Sequence, residues 1–303
     1  MKILVTGGAG FAGQWLLALL KEKQPKADLY NLDRAPAKIA TSILCDLLDL
    51  KKINNIVTEI APDQVYHLAA FASAGLEEDD LIFKVNVGAT ENILKALAQT
   101  GKKVKILLIS SLYVYGTVPV PAKETNPLDP HGAYAQSKAE MEKLAQKYGS
   151  NRLQIVIARP ANHTGPGQRL GFVIPDFAYQ IAQIEAKGQK PVLKVGNLSP
   201  RRDFLDVRDV VAGYHLLMKK GPSGEVYNIA TGHPYTIEEI LNKLLALAKV
   251  KIKIVSDKSK LRKVDLPLSS GNPLKIKKLG WQAKIGLDQT LKDVLHYFRG
   301  IRR

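Results

Sequence analysis

A single cysteine, Cys45, stands in 303 residues, which excludes an internal disulfide and points to a reducing, cytoplasmic setting. Long apolar runs are missing as well. The longest candidates are broken by lysines and fall short of the roughly 20 residues that cross a bilayer, so no membrane partner is expected. Met1 and Lys2 lead straight into a short apolar run and then glycines, with no secretion leader legible there. Aromatic residues are sparse, at 7%, and do not interleave with the basic ones. This matters because 44 Lys and Arg against 28 Asp and Glu leave a net charge of +16. Such a field attracts phosphates, yet the lysines are scattered and form no basic stripe. The charge is read as a solvated surface, and no nucleic-acid partner and no metal site are assigned.

What is present is alternation. Short β-branched runs at 2–6, 28–32, 64–69, 104–110 and 153–159 alternate with helical apolar spacing at 11–23, 50–60, 81–99 and 134–148. Strands and helices in turn imply βαβ units. The expected fold is therefore α/β, a doubly wound parallel sheet of Rossmann type. After Pro160 the loops become longer and richer in Gly and Pro, while helical patterns persist at 174–187, 207–219, 236–248 and 287–298. The chain is accordingly divided into a dinucleotide-binding domain at 1–160 and a smaller mixed α/β substrate region at 161–303. Segments of the second part are expected to return and complete the sheet.

The N-terminal run Thr6-Gly-Gly-Ala-Gly-Phe-Ala-Gly13 places Gly8, Gly10 and Gly13 in the spacing G-x-G-x-x-G between a strand and a helix. One glycine makes the turn, one admits a pyrophosphate to the backbone, and one lets helix pack on strand. The helix N-terminus then offers N–H groups and a favourable dipole to the phosphates. Asp33 closes the second strand at the distance where a ribose-binding carboxylate belongs. It favours NAD, because a 2′-phosphate would face a like charge. Arg34 follows at once and leaves NADP open.

Tyr134 and Lys138 are four residues apart at the start of a helical segment and so share a face. A neighbouring ammonium is expected to lower the phenol pKa and suit it to proton exchange. Ser110 and Ser111 close the preceding strand, at the carboxyl edge where open α/β sheets bind ligands.

Those motifs, with His67-Leu-Ala-Ala70, Asn86-Val-Gly-Ala-Thr-Glu-Asn92, Ser110-Ser-Leu-Tyr-Val-Tyr-Gly116 and Arg159-Pro160, resemble the extended short-chain dehydrogenase/reductases of the NAD-dependent epimerase/dehydratase type. The resemblance covers essentially the whole chain. It implies that Ser111, Tyr134 and Lys138 are catalytic. It implies a cofactor groove of Gly7, Gly10, Phe11, Ala12, Asp33, Arg34, Asp46, Leu47, Leu68, Ala69 and Ala70, with Tyr134, Lys138 and His163 at the nicotinamide end. Asn86 would be a polar group behind the site. The runs 158–168 and 172–177 resemble most closely the branch that reduces GDP-linked 4-keto-6-deoxyhexoses. Ser111, Asn162, Val173, Arg202 and Arg262 would then hold the nucleotide sugar, the two arginines on its diphosphate.

Dehydratases of this family carry acid–base carboxylates just before Tyr-Gly. Here residues 111–116 contain no Asp or Glu, which argues against dehydration. Glu124 is a nearby loop carboxylate held in reserve. Reduction at C4 is the favoured reaction; a UDP- or GDP-hexose 4-epimerase with retained NAD is the alternative, and a non-catalytic dinucleotide-binding module is the third reading. The resemblance also implies a homodimer built on helices 81–99 and 134–148.

Overall fold

The computed structural model describes residues 1–71, 79–187, 190–261 and 266–301. Seven strands pair side by side: β1 (Lys2–Thr6), β2 (Asp28–Asp33), β3 (Thr41–Leu44), β4 (Gln64–His67), β5 (Val104–Ile109), β6 (Leu153–Pro160) and, from far along the chain, β10 (Val226–Ile229). Their order is β10-β6-β5-β4-β1-β2-β3 and every pairing is parallel. Central-strand residues such as Leu4, Val65, Ile106 and Val156 are sealed from solvent, as a parallel sheet covered on both faces requires. Strand order reverses between β1 and β4, so the crevice above their carboxyl ends is the place for a ligand.

The helices α1 (Phe11–Lys23), α2 (Leu50–Ile60), α3 (Asp79–Gln99) and α4 (Gly132–Tyr148) are the crossovers of the first half. One apolar layer joins α1 to the sheet through Leu16, Leu17 and Leu20; another joins α2 and α3 through Ile53, Val57, Ile93 and Leu94. Beyond β6 lie β7 (Asn162–Thr164), α5 (Val173–Lys187), β8 (Val192–Val195), β9 (Arg201–Asp206) and α6 (Val207–Lys220). After β10 come β11 (Pro234–Thr236), α7 (Ile237–Ala246), β12 (Lys253–Ser256), β13 (Leu268–Ser269), α8 (Leu274–Lys277) and α9 (Leu287–Gly300). Strands β7, β11 and β13 gather on β9, and β12 pairs with β8. A third apolar cluster joins α5, α7 and α9 through Ile181, Leu241 and Leu295.

Two sequence expectations shift by a few residues, and several short strands are new. The fourth strand ends at His67, so Leu68 and Ala69 belong to the loop it feeds. The fourth helix begins at Gly132 and puts Tyr134 in its first turn. Strand β3 and the short strands after β6 were not anticipated; each has few residues, and β3 is largely exposed at the sheet edge, with no alternating pattern to betray it.

Candidate active site

The glycine turn is shaped by contacts that a side chain would block. Gly7 has φ +73°, and a Cβ there would lie 2.7 Å from the Ala69 nitrogen. A Cβ on Gly13 would fall 2.1 Å from the Gly7 carbonyl oxygen. These two glycines let the loop after β4 and the start of α1 close on β1. At Gly10 a Cβ would meet only the Gly7 oxygen, at 3.1 Å, so this position opens toward a ligand.

Helices α2, α6 and α7 close their N-termini with the side chains of Asp49, Asp206 and Thr236. Helix α1 has Gly10 at that position, with no side-chain acceptor and no acid in its first turn. The N–H groups of Phe11 and Ala12 are thereby left to an anion. At the lip, partly exposed Asp33 accepts from the Ala9 nitrogen at 3.1 Å and the Arg34 nitrogen at 2.6 Å. A carboxylate has about four acceptor sites, so capacity remains for ribose hydroxyls. The exposed Arg34 guanidinium lies 5.8 Å from the centre of the Phe71 ring, a neighbour sequence reasoning missed. Asp46 is exposed in the turn after β3 and accepts from the Leu48 nitrogen; Leu47 beside it is buried.

The opposite wall is fixed from behind. The buried Thr90 hydroxyl donates to the Asn86 carbonyl and therefore accepts from His67 Nε2 at 3.0 Å. His67 Nδ1 then accepts from the Thr6 hydroxyl at 2.7 Å, and that oxygen accepts from the Ala69 nitrogen. Burial drives the His67 pKa down to about 3, with the Lys138 charge adding to it, so the ring stays neutral. The Asn86 side-chain oxygen accepts from the Phe71 nitrogen at 2.8 Å, and its Nδ2 donates to the Phe71 carbonyl and to the Ser137 hydroxyl at 2.9 Å. The polar chain thus reaches from the cofactor wall to the helix that carries Tyr134.

Strand β5 ends against that helix. Lys138 Nζ donates to the Ile109 carbonyl at 2.7 Å and sits 5.8 Å from the centre of the Tyr134 ring. Ser111 is buried and starts the short 3-10 turn Leu112–Tyr115, its hydroxyl accepting from the Tyr113 nitrogen at 3.2 Å. The expected lowering of the phenol pKa is corrected here. Burial pushes Tyr134 up to about 12, with the neighbouring Ser111 side chain opposing the shift, and pushes Lys138 down to about 7. Removing water from both groups sets the direction of both shifts. At neutral pH Tyr134 is a protonated donor.

One turn further on, Glu142 accepts from the Ser110 hydroxyl at 2.5 Å and is clamped by Arg159. Arg159 also donates to Tyr115, whose hydroxyl donates to Asn228. The reserve carboxylate Glu124 accepts from the Asn228 nitrogen at 2.9 Å, on this rear network. Helical spacing could have flagged Glu142, eight residues after Tyr134, but nothing local to it names Arg159 as partner.

Strands β7 and β9 supply the remaining wall. His163 stacks on Phe11 at 6.3 Å and 10°, and its Nδ1 donates to the Ala161 carbonyl. Burial lowers its pKa, so the neutral ring presents Nε2 as an acceptor. Asn162 Nδ2 donates to the Tyr113 hydroxyl at 3.4 Å, and Arg202 Nε donates to the same oxygen at 3.1 Å. Val173 opens α5 and packs partly buried against the third apolar cluster. Arg262 lies outside the described residues. Tyr113, whose ring meets Tyr134 edge-on at 6.3 Å, is the joint that sequence reasoning missed.

The family described as GDP-mannose 4,6 dehydratase matches residues 4–294, nearly the whole chain. The chain belongs to this family. Among its relatives, GDP-6-deoxy-D-mannose reductase of Pseudomonas aeruginosa is 33% identical, over 97% of this chain and 96% of that protein. GDP-6-deoxy-D-talose 4-dehydrogenase of Aggregatibacter actinomycetemcomitans is 29% identical, over 91% and 90%. The solved structure of RMD from Pseudomonas aeruginosa complexed with NADPH superposes with a TM-score of 0.86 at 32% identity, covering 98% of both chains. UDP-glucose 4-epimerase of Thermus thermophilus, complexed with NAD, gives 0.87 at 30%, covering 99% of both. In this chain Leu112 and Tyr113, not carboxylates, follow Ser111.

Proposed function

We propose that the chain is an NAD(P)H-dependent reductase of the C4 ketone in a nucleotide-linked 6-deoxyhexose, converting GDP-4-keto-6-deoxy-D-mannose to GDP-D-rhamnose. The observation that carries the reading is the Tyr134–Lys138 pair at the carboxyl edge of β5, with Lys138 tied to the Ile109 carbonyl, burial favouring the protonated Tyr134 phenol, and no acid–base carboxylate in the segment 111–116 beside it. The glycine turn, the uncapped start of α1 and Asp33 fit a nicotinamide dinucleotide, which when bound supplies the hydride. Tyr134 gives its proton to the C4 oxygen, and Ser111 orients that oxygen. Lys138 steadies the phenolate that remains. The substrate lies against Asn162, Arg202, Arg262 and Val173, and the cofactor lies along the groove already described, with Asp33 favouring NAD.

Glu124 is occupied on the rear network and does not replace the missing dehydratase carboxylates. Residues 1–160 carry the cofactor half of this site and 161–303 the substrate half. A cytoplasmic homodimer formed on α3 and α4 fits the exposure of Leu81 and Phe83 on α3.

Fold likeness to a 4-epimerase is as close as likeness to the reductase, so one assay must separate the two. Purified protein is mixed with GDP-4-keto-6-deoxy-D-mannose and either NADH or NADPH. Stoichiometric loss of reduced cofactor with formation of the 6-deoxy sugar supports reduction. Turnover of a UDP- or GDP-hexose without added nicotinamide would instead establish the epimerase.

A further inference from the structure

Tyr113 is partly exposed between the buried Leu112 and Val114, so its side chain alone of the three reaches the groove. Its oxygen accepts from Arg202 Nε on β9 and from Asn162 Nδ2 on β7. The Arg202 guanidinium also stands over its ring, 5.9 Å from the centre, and Arg202 Nη1 is tied to the Arg201 carbonyl at 2.9 Å. On its other side the ring meets Tyr134 at 78°. One side chain thus links the paired strands β7 and β9 to α4, a helix that backbone pairing does not tie to them. A phenol oxygen with two donors against it still holds one hydrogen, and no acceptor among the described residues takes it.

We propose that Tyr113 is a substrate-positioning residue: its oxygen aims Arg202 and Asn162 at the diphosphate, its hydrogen meets a substrate oxygen, and its ring holds Tyr134 in line. This rests on the function proposed above, but only in the choice of ligand. A phenylalanine at this position keeps the ring and removes the hydroxyl; a leucine removes both. The two substitutions therefore separate the roles. Aiming of the clamp governs ground-state binding, whereas support of Tyr134 governs the chemical step.

The test titrates wild type, Tyr113→Phe and Tyr113→Leu with GDP and with NADPH, then measures KM and kcat for the keto-sugar. Tyr113→Phe is expected to weaken GDP binding and raise KM by about tenfold, the scale of a lost hydrogen bond to a charged group. Its kcat and NADPH affinity should stay within about threefold of wild type. Tyr113→Leu should show the same binding loss with kcat down by a further tenfold or so, which Phe restores. Wild-type GDP affinity and KM in Tyr113→Phe would overturn the proposal. The GDP titration needs no turnover, so a wild-type enzyme that fails to reduce the keto-sugar counts against the function and leaves this reading to be decided by binding.

Discussion

Glu142 and Arg159 form a two-pronged ion pair sealed from solvent, with nitrogen–oxygen distances of 2.9 and 2.5 Å. It ties α4 to β6, and through Ser110 it fixes the strand end that presents Ser111. Removing one partner strands a charge in the interior, which costs more than the pair itself contributes. Glu142→Ala should lower unfolding stability by about 3–5 kcal/mol, measured by urea denaturation. A loss below about 1 kcal/mol would mean that water reaches Arg159 freely.

Lys138 gives the site its pH dependence. Burial pushes its pKa down to about 7, with the Glu142 carboxylate opposing the shift. Tyr134 remains protonated across this range because its own pKa is raised. Ketone reduction should therefore weaken as pH rises through about 7, where the ammonium that steadies the nascent phenolate is lost. Glu142→Gln removes the opposing charge and should move that limb to lower pH. The check is a kcat/KM profile, and a rate that rises through this interval would reverse the assignment.

Gly13 and Gly10 look equivalent in the motif but differ in space. A methyl on Gly13 would press into the Gly7 carbonyl, backbone that has no room to retreat. Gly13→Ala should cost roughly 1–3 kcal/mol or more by thermal denaturation and abolish dinucleotide binding. Gly10→Ala should leave stability nearly intact and weaken binding alone.

Tyr66 is fully buried in β4, and its hydroxyl meets no hydrogen-bond partner among the described residues. An unmatched buried hydroxyl costs free energy, so Tyr66→Phe should be neutral or stabilise by up to about 1 kcal/mol in urea denaturation. A stability loss of that size would point to a partner such as a bound water.

Spacing made much of this site legible. The glycines, Asp33, Ser111 and the Tyr134–Lys138 pair lie at separations set by a turn, a strand and a helix, and the structure puts them after β1, at the end of β2, just past β5 and in the first turns of α4. Burial was not legible, so the phenol shift was expected in the wrong direction. Glu142 and Tyr113 were passed over because their partners, Arg159, Asn162 and Arg202, arrive from strands that only the tertiary fold places nearby. The short strands around β9 hold too few residues for a period to show, although they position Arg202.

The most direct test is reduction of GDP-4-keto-6-deoxy-D-mannose by Tyr134→Phe, with dinucleotide affinity titrated in parallel. The account predicts turnover lower by roughly 10²–10⁴-fold and affinity unchanged. Turnover close to wild type would contradict it, because the proton would then come from some other group.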